Sequence, residues 1–158
     1  MSKTHVAALA AVAVGIAGCG GDDNKKSSAS APTKAEFIAN ADPICAAAKA
    51  KSKTYTNQLD ALPQSAQVKD TVPFLQGALT TTRAASVKLR ALPRPTADKA
   101  TLDAYFALLD RALVAGDRLL AAAKTNNLKT LQTVGAGNPK LKADRKRVAK
   151  QYGFKHCA

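Results

Sequence analysis

The chain is poor in the residue types on which most enzymes and metal sites depend. Its 158 residues include no tryptophan, two histidines and one glutamate, Glu36. Di-metal sites in helical bundles combine several glutamates with Glu-x-x-His motifs, which a single glutamate cannot supply. After residue 18 the one histidine is His156, so Ser/His/Asp catalysis would have to run through the end of the chain. The composition therefore predicts a protein that is not an enzyme and that uses no metal and no cofactor.

The apolar segment at the N-terminus is too short to cross a membrane. Val6 to Ile16 contains only Ala, Val, Leu, Gly and Ile, and the residues before it carry one lysine, Lys3. A helix of this length would rise about 16 Å, roughly half the hydrocarbon thickness of a bilayer. A basic residue followed by a short apolar region is typical of a signal peptide.

The end of this segment resembles the lipobox of bacterial lipoproteins. Ile16, Ala17, Gly18 and Cys19 occupy its four positions, with isoleucine in place of the usual leucine. The resemblance implies transfer of diacylglycerol to the Cys19 sulfur and cleavage before Cys19. Residues 1–18 would then be a signal peptide, and the exported protein would be anchored by lipid at the outer face of the bacterial cell membrane. The alternative is an ordinary secretory signal in which the cysteine falls by chance.

The mature chain is strongly basic and begins with a polar segment. The whole chain has a formal charge of +13, and cleavage removes only Lys3, which leaves +12 on residues 19–158. Such a charge favours lipid headgroups, cell-wall polymer or nucleic acid, and export leads us to predict no nucleic-acid partner. Residues 20–33 contain no large apolar side chain. We therefore expect a disordered tether at 19–33 and a folded domain at 34–158.

Four apolar stripes with helical spacing follow the tether. Thr33 and Glu36 fit a capping box at the start of the first helix. The predicted helices run from Thr33 to Asp60, from Ser65 to Pro93, from Thr96 or Asp98 to Asn126, and from Leu128 to Tyr152. Because short connections force neighbouring helices to run in opposite directions, the pattern predicts an all-α, antiparallel up-and-down four-helix bundle.

Prolines disturb this helical pattern at three places. Asp42-Pro43 would either kink the first helix or start it afresh, and Pro73 would allow the second helix to begin late. The segment Gly135-Ala136-Gly137-Asn138-Pro139 combines several helix breakers. We therefore expect an interruption of the fourth helix there, with Asn138 capping its second half. Gly153 is expected to end that helix.

Two cysteines downstream of the lipobox form a candidate disulfide. With Cys19 used for lipid attachment, an exported protein is left with the pair Cys45 and Cys157. In a bundle of four up-and-down helices the chain returns to the end at which it started, so these cysteines should lie close together. The alternative is two unrelated thiols, with Cys45 buried as a small apolar residue.

The mature chain as a whole resembles a group of small actinobacterial lipoproteins. The matching features are the lipobox, the stretch Ala35-Glu36-Phe37-Ile38 to Asp42-Pro43-Ile44-Cys45, the Leu92-Pro93 loop, and the ending Ala149 to Gly153-Phe154 with Cys157. The resemblance implies a helical bundle clasped by the terminal cysteine, and it implies no activity. The segment from Gly135 to Pro139 departs from the smoother fourth helix expected in that group.

A row of carboxylates runs along the third helix. Asp103, Asp110 and Asp117 recur every seven residues. They could bind cations or a basic partner, but they would lie about 10 Å apart along the helix axis, too far apart for one metal ion. Ion pairs with Arg83 and Arg90 of the second helix are the simpler expectation.

The surface with the largest excess of basic residues is predicted on the C-terminal helix. The candidate polyanion-binding residues are Lys140, Lys142, Arg145, Lys146, Arg147 and Lys150. On an anchored protein they would contact anionic lipid or cell-wall polymer, and the alternative is a generic solvated face. The predicted function is a non-enzymatic binding or structural role in the cell envelope. The alternative function is a bundle that binds a small apolar ligand between its helices, which the alanine-rich sequence disfavours because closely packed helices leave little cavity.

Overall fold

The computed structural model describes residues 31–158, which form four α-helices and, within that range, no strand. The helices are α1 (Lys34–Asp60), α2 (Val72–Ala91), α3 (Lys99–Lys124) and α4 (Leu128–Tyr152), and a short 3₁₀ helix, Val68–Thr71, precedes α2. The predicted all-α four-helix bundle is confirmed. The predicted signal peptide, the lipobox at Cys19 and most of the predicted tether lie outside the described residues.

Neighbouring helices run antiparallel and are connected in sequence order. The most extensive contacts link α1 with α2, α2 with α3, and α3 with α4. Between α2 and α3, Arg83 pairs with Asp117 and Arg90 pairs with Asp110, so numbers rise along one helix as they fall along the other. The chain therefore goes up and down through the bundle.

Local hydrogen bonds start the first and last helices at the residues that the sequence indicates. The Glu36 N–H donates to Thr33 Oγ1 at 3.2 Å, and the Thr33 N–H donates to Glu36 Oε2 at 2.7 Å, which completes a capping box. These bonds from Thr33 lower the pKa of the Glu36 carboxyl. At the start of α4 the Thr130 N–H donates to Asn127 Oδ1 at 3.0 Å. Gly153, with φ of +102°, ends α4 as predicted.

The expected interruption of α4 is wrong. The helix continues through Gly135 to Pro139, which lie inside Leu128–Tyr152. Packing against α3, the partner with which α4 makes its most extensive contacts, outweighs the poor helix propensity of this segment. Gly135 and Gly137 have no neighbouring atom within 4 Å of the position where a Cβ would stand, so the segment lies in open space on the side of these glycines.

Two other prolines are also accommodated inside or beside helices. Pro43 lies within α1, which is continuous and does not start afresh there. Helix α2 begins at Val72, later than the expected start near Ser65, with Pro73 in its first turn, where the missing N–H would have had no helical partner. The residues before it form the 3₁₀ helix, where the Gln67 N–H donates to Asp70 Oδ2 at 2.8 Å.

The hydrophobic core lies at one end of the bundle, which we call the disulfide end. It is formed by the start of α1, the end of α2, the start of α3, the end of α4 and the tail 153–158. Its buried residues are Phe37, Ala41, Cys45, Leu89, Leu102, Tyr105, Phe106, Leu109, Val148, Ala149, Tyr152, Phe154 and Cys157. At the opposite end, which we call the far end, large side chains such as Leu59, Leu113 and Leu131 are only half-buried.

Candidate functional site

A covalent bond closes the disulfide end. Cys45 in α1 and Cys157 in the tail form a disulfide, with their Cα atoms 5.0 Å apart and a sequence separation of 112. The predicted pairing is confirmed. The bond holds the tail against the first helix and thereby fixes both ends of the folded domain at one place.

A buried carboxylate, Asp42, adds a second attachment for the tail. The Lys155 N–H donates to Asp42 Oδ1 and Oδ2 at 3.2 and 3.1 Å, and the His156 N–H donates to Asp42 Oδ1 at 3.0 Å. Asp42 is 8% exposed. From the sequence, Asp42 is expected only as a helix cap beside Pro43. The sequence does offer a signal for this contact: Asp42 lies one turn before Cys45, on the helix that the tail is expected to reach through the disulfide.

Aromatic side chains fill the space behind the disulfide. The Tyr105 hydroxyl donates to the Cys157 carbonyl at 3.1 Å, inside the core. Phe154 packs against Tyr105 and Tyr152, with ring centroids 5.3 and 4.8 Å apart. The Tyr152 hydroxyl is buried and has no hydrogen-bond partner among the described residues, and burial raises the pKa of Tyr152 to about 12.

The six basic residues proposed on α4 do not form a single surface. Lys140 and Arg147 pair with Asp144, at 2.9 and 3.4 Å. Hydrogen bonds from Lys140 and Arg147 lower the pKa of the Asp144 carboxyl. Two of the predicted cations therefore share one carboxylate, which offsets one of their two charges.

The other four basic residues divide into two groups. Lys146 and Lys150 are exposed and lie one turn apart, and neither forms an ion pair with any residue in 31–158. Lys142 and Arg145 instead line a cleft between the helices. The sequence could not separate these groups, because basic residues occur around much of the helix.

The cleft lies where α1 and α4 face each other across α2 and α3. Its volume is about 330 Å³. The buried side chains that line it include Cys45, Leu89, Tyr105 and Leu109, and its basic residues are Lys49, Lys142, Arg145 and His156. An adjoining depression of about 500 Å³, which shares Lys142 and Arg145, extends toward the far end. The helices therefore leave more open space than the alanine-rich sequence suggested.

The carboxylates of α3 take part in surface ion pairs. Asp117 pairs with Arg83 at 2.9 Å, and Asp110 pairs with Arg90 at 2.6 Å. These are the ion pairs between the second and third helices that the sequence predicts. Asp103 accepts from Lys99 at 2.6 Å and from Arg94 at 3.3 Å. The hydrogen bond from Lys99 lowers the pKa of the Asp103 carboxyl.

The part of the chain that the structure describes holds neither a metal-ligand cluster nor a membrane-spanning helix. No group of three or more His, Cys, Asp or Glu side chains there could hold a metal ion. None of the described helices has the length and apolar character that crossing a membrane requires.

Comparison of the chain with protein-family models, with curated proteins and with solved structures gave no match.

Proposed function

We propose that this protein is a lipid-anchored, non-enzymatic envelope lipoprotein that contacts anionic lipid or cell-wall polymer through the end of α4. The observation that carries this proposal is the pair Lys146 and Lys150, which are exposed and have no acidic partner among residues 31–158. A basic residue close to a negatively charged membrane contributes about 1 kcal/mol of binding. Two uncompensated lysines on one face can therefore strengthen membrane contact measurably.

The position of the proposed lipid anchor also favours membrane contact through the end of α4. Cys19 precedes Thr33 by 14 residues, and Thr33 enters α1 at the disulfide end, where α4 also ends. With the disordered tether that the sequence predicts, the end-to-end distance over that length would be about 20 Å. A lipid on Cys19 would therefore keep the disulfide end, with Lys150, on the membrane side of the domain.

Lipid attachment is tested by metabolic labelling. A bacterial cell that expresses the full chain and is fed a labelled fatty acid should produce a labelled protein, because the acyl chains join Cys19. Substitution Cys19→Ser should remove the label and release the protein from the membrane fraction. A wild-type protein that is exported but never labelled would rule out the anchor and leave the ordinary secretory signal.

Contact with anionic surfaces is tested separately, without the lipid. The chain from residue 19 onward, carrying Cys19→Ser, should bind vesicles that contain anionic lipid more tightly than neutral vesicles, and salt should weaken that binding. The double substitution Lys146→Gln/Lys150→Gln should reduce affinity by about tenfold or more. Equal binding to both vesicle types, or binding insensitive to salt, would contradict the proposal.

The alternative function is a bundle that binds a small ligand between its helices. The specific observation in its favour is the cleft of about 330 Å³, which lies at the lower end of the range typical of ligand pockets. Its chemistry differs from that of a purely apolar pocket, because four basic residues line it.

A further inference from the structure

We propose that the cleft between α1 and α4 binds a single-chain anionic amphiphile, such as a fatty acid, with the carboxylate at Lys142 and Arg145 and the alkyl chain over the buried side chains. This inference goes beyond the membrane contact proposed above and does not depend on it. It uses a different pair of basic residues on α4 and requires no lipid at Cys19.

The open space has a structural cause. Helix α1 packs on α2 and helix α4 packs on α3, whereas α1 and α4 make no comparably extensive contact with each other. Small side chains line the gap, among them Ala48, Ser52 and Ala85. The cleft therefore runs between the two helix pairs and gives access to the core from the surface.

The floor of the cleft is apolar and well packed. Leu89 and Leu109 are 3% and 4% exposed, and the Cys45–Cys157 disulfide lies beside them. Such a floor gains free energy when an alkyl chain displaces water from it. A small inorganic anion would leave that surface wet.

The basic residues of the cleft have no acidic partners. Lys49, Lys142 and Arg145 form no ion pair with any residue in 31–158, and no side chain that lines the cleft within that range is acidic; the carboxyl group of Ala158, which also lines the cleft, leaves its charge positive. Unpaired lysines also occur on the open surface, Lys146 and Lys150 among them, but there they do not adjoin the buried floor of the cleft. The cleft thus concentrates uncompensated positive charge beside an apolar surface, which complements a ligand with one negative headgroup and one apolar chain.

The shape of the site favours one alkyl chain over a polymer or a second protein. The cleft of about 330 Å³ and the depression of about 500 Å³ share the lining residues Lys142 and Arg145. A headgroup at these two side chains therefore has space for an alkyl chain in the cleft and further space on the side of the depression. A neutral apolar ligand would leave both cations unused.

The test is calorimetric titration of the oxidised chain from residue 19 onward, carrying Cys19→Ser, with dodecanoate below its micelle concentration. We expect saturable binding to one site, and binding at least about tenfold weaker for dodecanol and for acetate, since each lacks one half of the ligand. Amide chemical shifts in the nuclear magnetic resonance spectrum should change at Ala85 and Leu89. Equal affinity for dodecanol would contradict the proposal that the cleft recognises an anionic headgroup. Failure of dodecanoate to bind would contradict the proposal that the cleft is a binding site.

Matched variants locate the headgroup. Lys142→Gln/Arg145→Gln should weaken dodecanoate binding at least about tenfold, whereas Lys146→Gln/Lys150→Gln, with the same change in charge on the same helix, should leave it within about twofold. An equal effect of the two pairs would indicate a diffuse electrostatic response and overturn the proposal. The vesicle assay should show the opposite ranking, so this proposal and the surface proposal can fail independently.

A second pair of variants locates the alkyl chain. Ser52→Leu fills the cleft and should block dodecanoate, while Thr56→Leu, one turn further along α1 and outside the cleft, should not. Circular dichroism establishes that each variant is folded. If Ser52→Leu does not fold, the glutamine variants decide the question; if it folds and binds dodecanoate as tightly as the parent chain, the cleft is not the site.

Discussion

The two ends of the bundle are stabilised in different ways. At the disulfide end a covalent bond, a buried carboxylate and a cluster of aromatic rings hold the tail against α1. The far end has only two of the chain's aromatic residues, Tyr55 and Phe74, and both are half-buried. The bundle is therefore closed firmly at one end and held mainly by pairwise helix contacts at the other.

This difference has consequences for local stability. Regions with few buried apolar contacts open more readily than a well-packed core. At the far end the buried apolar side chains are Leu79, Ala122 and Ala123, of which two are too small to contribute much buried area. Amide hydrogen exchange is therefore expected to be slowest at the disulfide end and faster at the far end.

The largest expected effect comes from breaking the disulfide. Cys45→Ala/Cys157→Ala removes a link across 112 positions, which in the chain-entropy model contributes about 4–5 kcal/mol to the free energy of unfolding. Urea denaturation of the oxidised parent and of the double variant measures the loss. A loss below about 1 kcal/mol would mean that aromatic packing alone closes this end.

Removing the buried carboxylate should have the next largest effect. Asp42→Ala leaves the N–H groups of Lys155 and His156 without their acceptor, which costs about 2–3 kcal/mol. Asp42→Asn keeps one oxygen and should lose less. The control at the far end is Asp60→Ala, which removes an exposed carboxylate and should change stability by no more than about 0.5 kcal/mol. Similar losses for Asp42→Ala and Asp60→Ala would remove the distinction between the two ends.

Replacing two tyrosines at the disulfide end by phenylalanine distinguishes the contribution of hydrogen bonding to stability from that of ring packing. Tyr105→Phe loses the bond to the Cys157 carbonyl and should lower the free energy of unfolding by about 1 kcal/mol. Tyr152→Phe removes a buried hydroxyl that has no partner in residues 31–158, so it should be neutral or stabilise by about 1 kcal/mol. Thermal unfolding of the two variants checks the order. A greater loss for Tyr152→Phe would show that its hydroxyl has a partner in solution.

The sequence predicts the helices and the disulfide at the disulfide end better than it predicts the shape of the cleft. Helical periodicity, the Thr33–Glu36 capping box and the even pair Cys45 and Cys157 are local or topological signals, and each led to the observed structure. The cleft depends on how far α1 stands from α4. That distance is set by the packing contacts among all four helices, and the residue pattern of a single helix does not determine it.

The same limit explains the incorrect expectation about α4, the two possible starts of α2 and the grouping of the basic residues. The interruption at Gly135 to Pro139 was inferred from propensity, which packing against α3 overrides. The apolar pattern continues through the 3₁₀ helix before Val72, so it allows a start of α2 near Ser65 as well as the later start that Pro73 favours and the structure shows. Lys142 and Lys146 differ by one turn and have the same side chain, so only the positions of neighbouring helices distinguish a cleft residue from a surface residue.

Glycine substitutions give the smallest expected effects and compare the two ends directly. Gly135→Ala and Gly137→Ala, in the helix at open positions, should each stabilise the protein by about 0.5–1 kcal/mol, because alanine loses less backbone entropy on folding. Gly153→Ala at the disulfide end places a Cβ at φ of +102° and 3.3 Å from Ile38 Cδ1, so it should destabilise by about 1 kcal/mol. Chemical denaturation of the three variants measures these signs. Destabilisation by Gly135→Ala or Gly137→Ala would mean that α4 needs flexible backbone there, and that the far end is strained in a way that its open packing does not suggest.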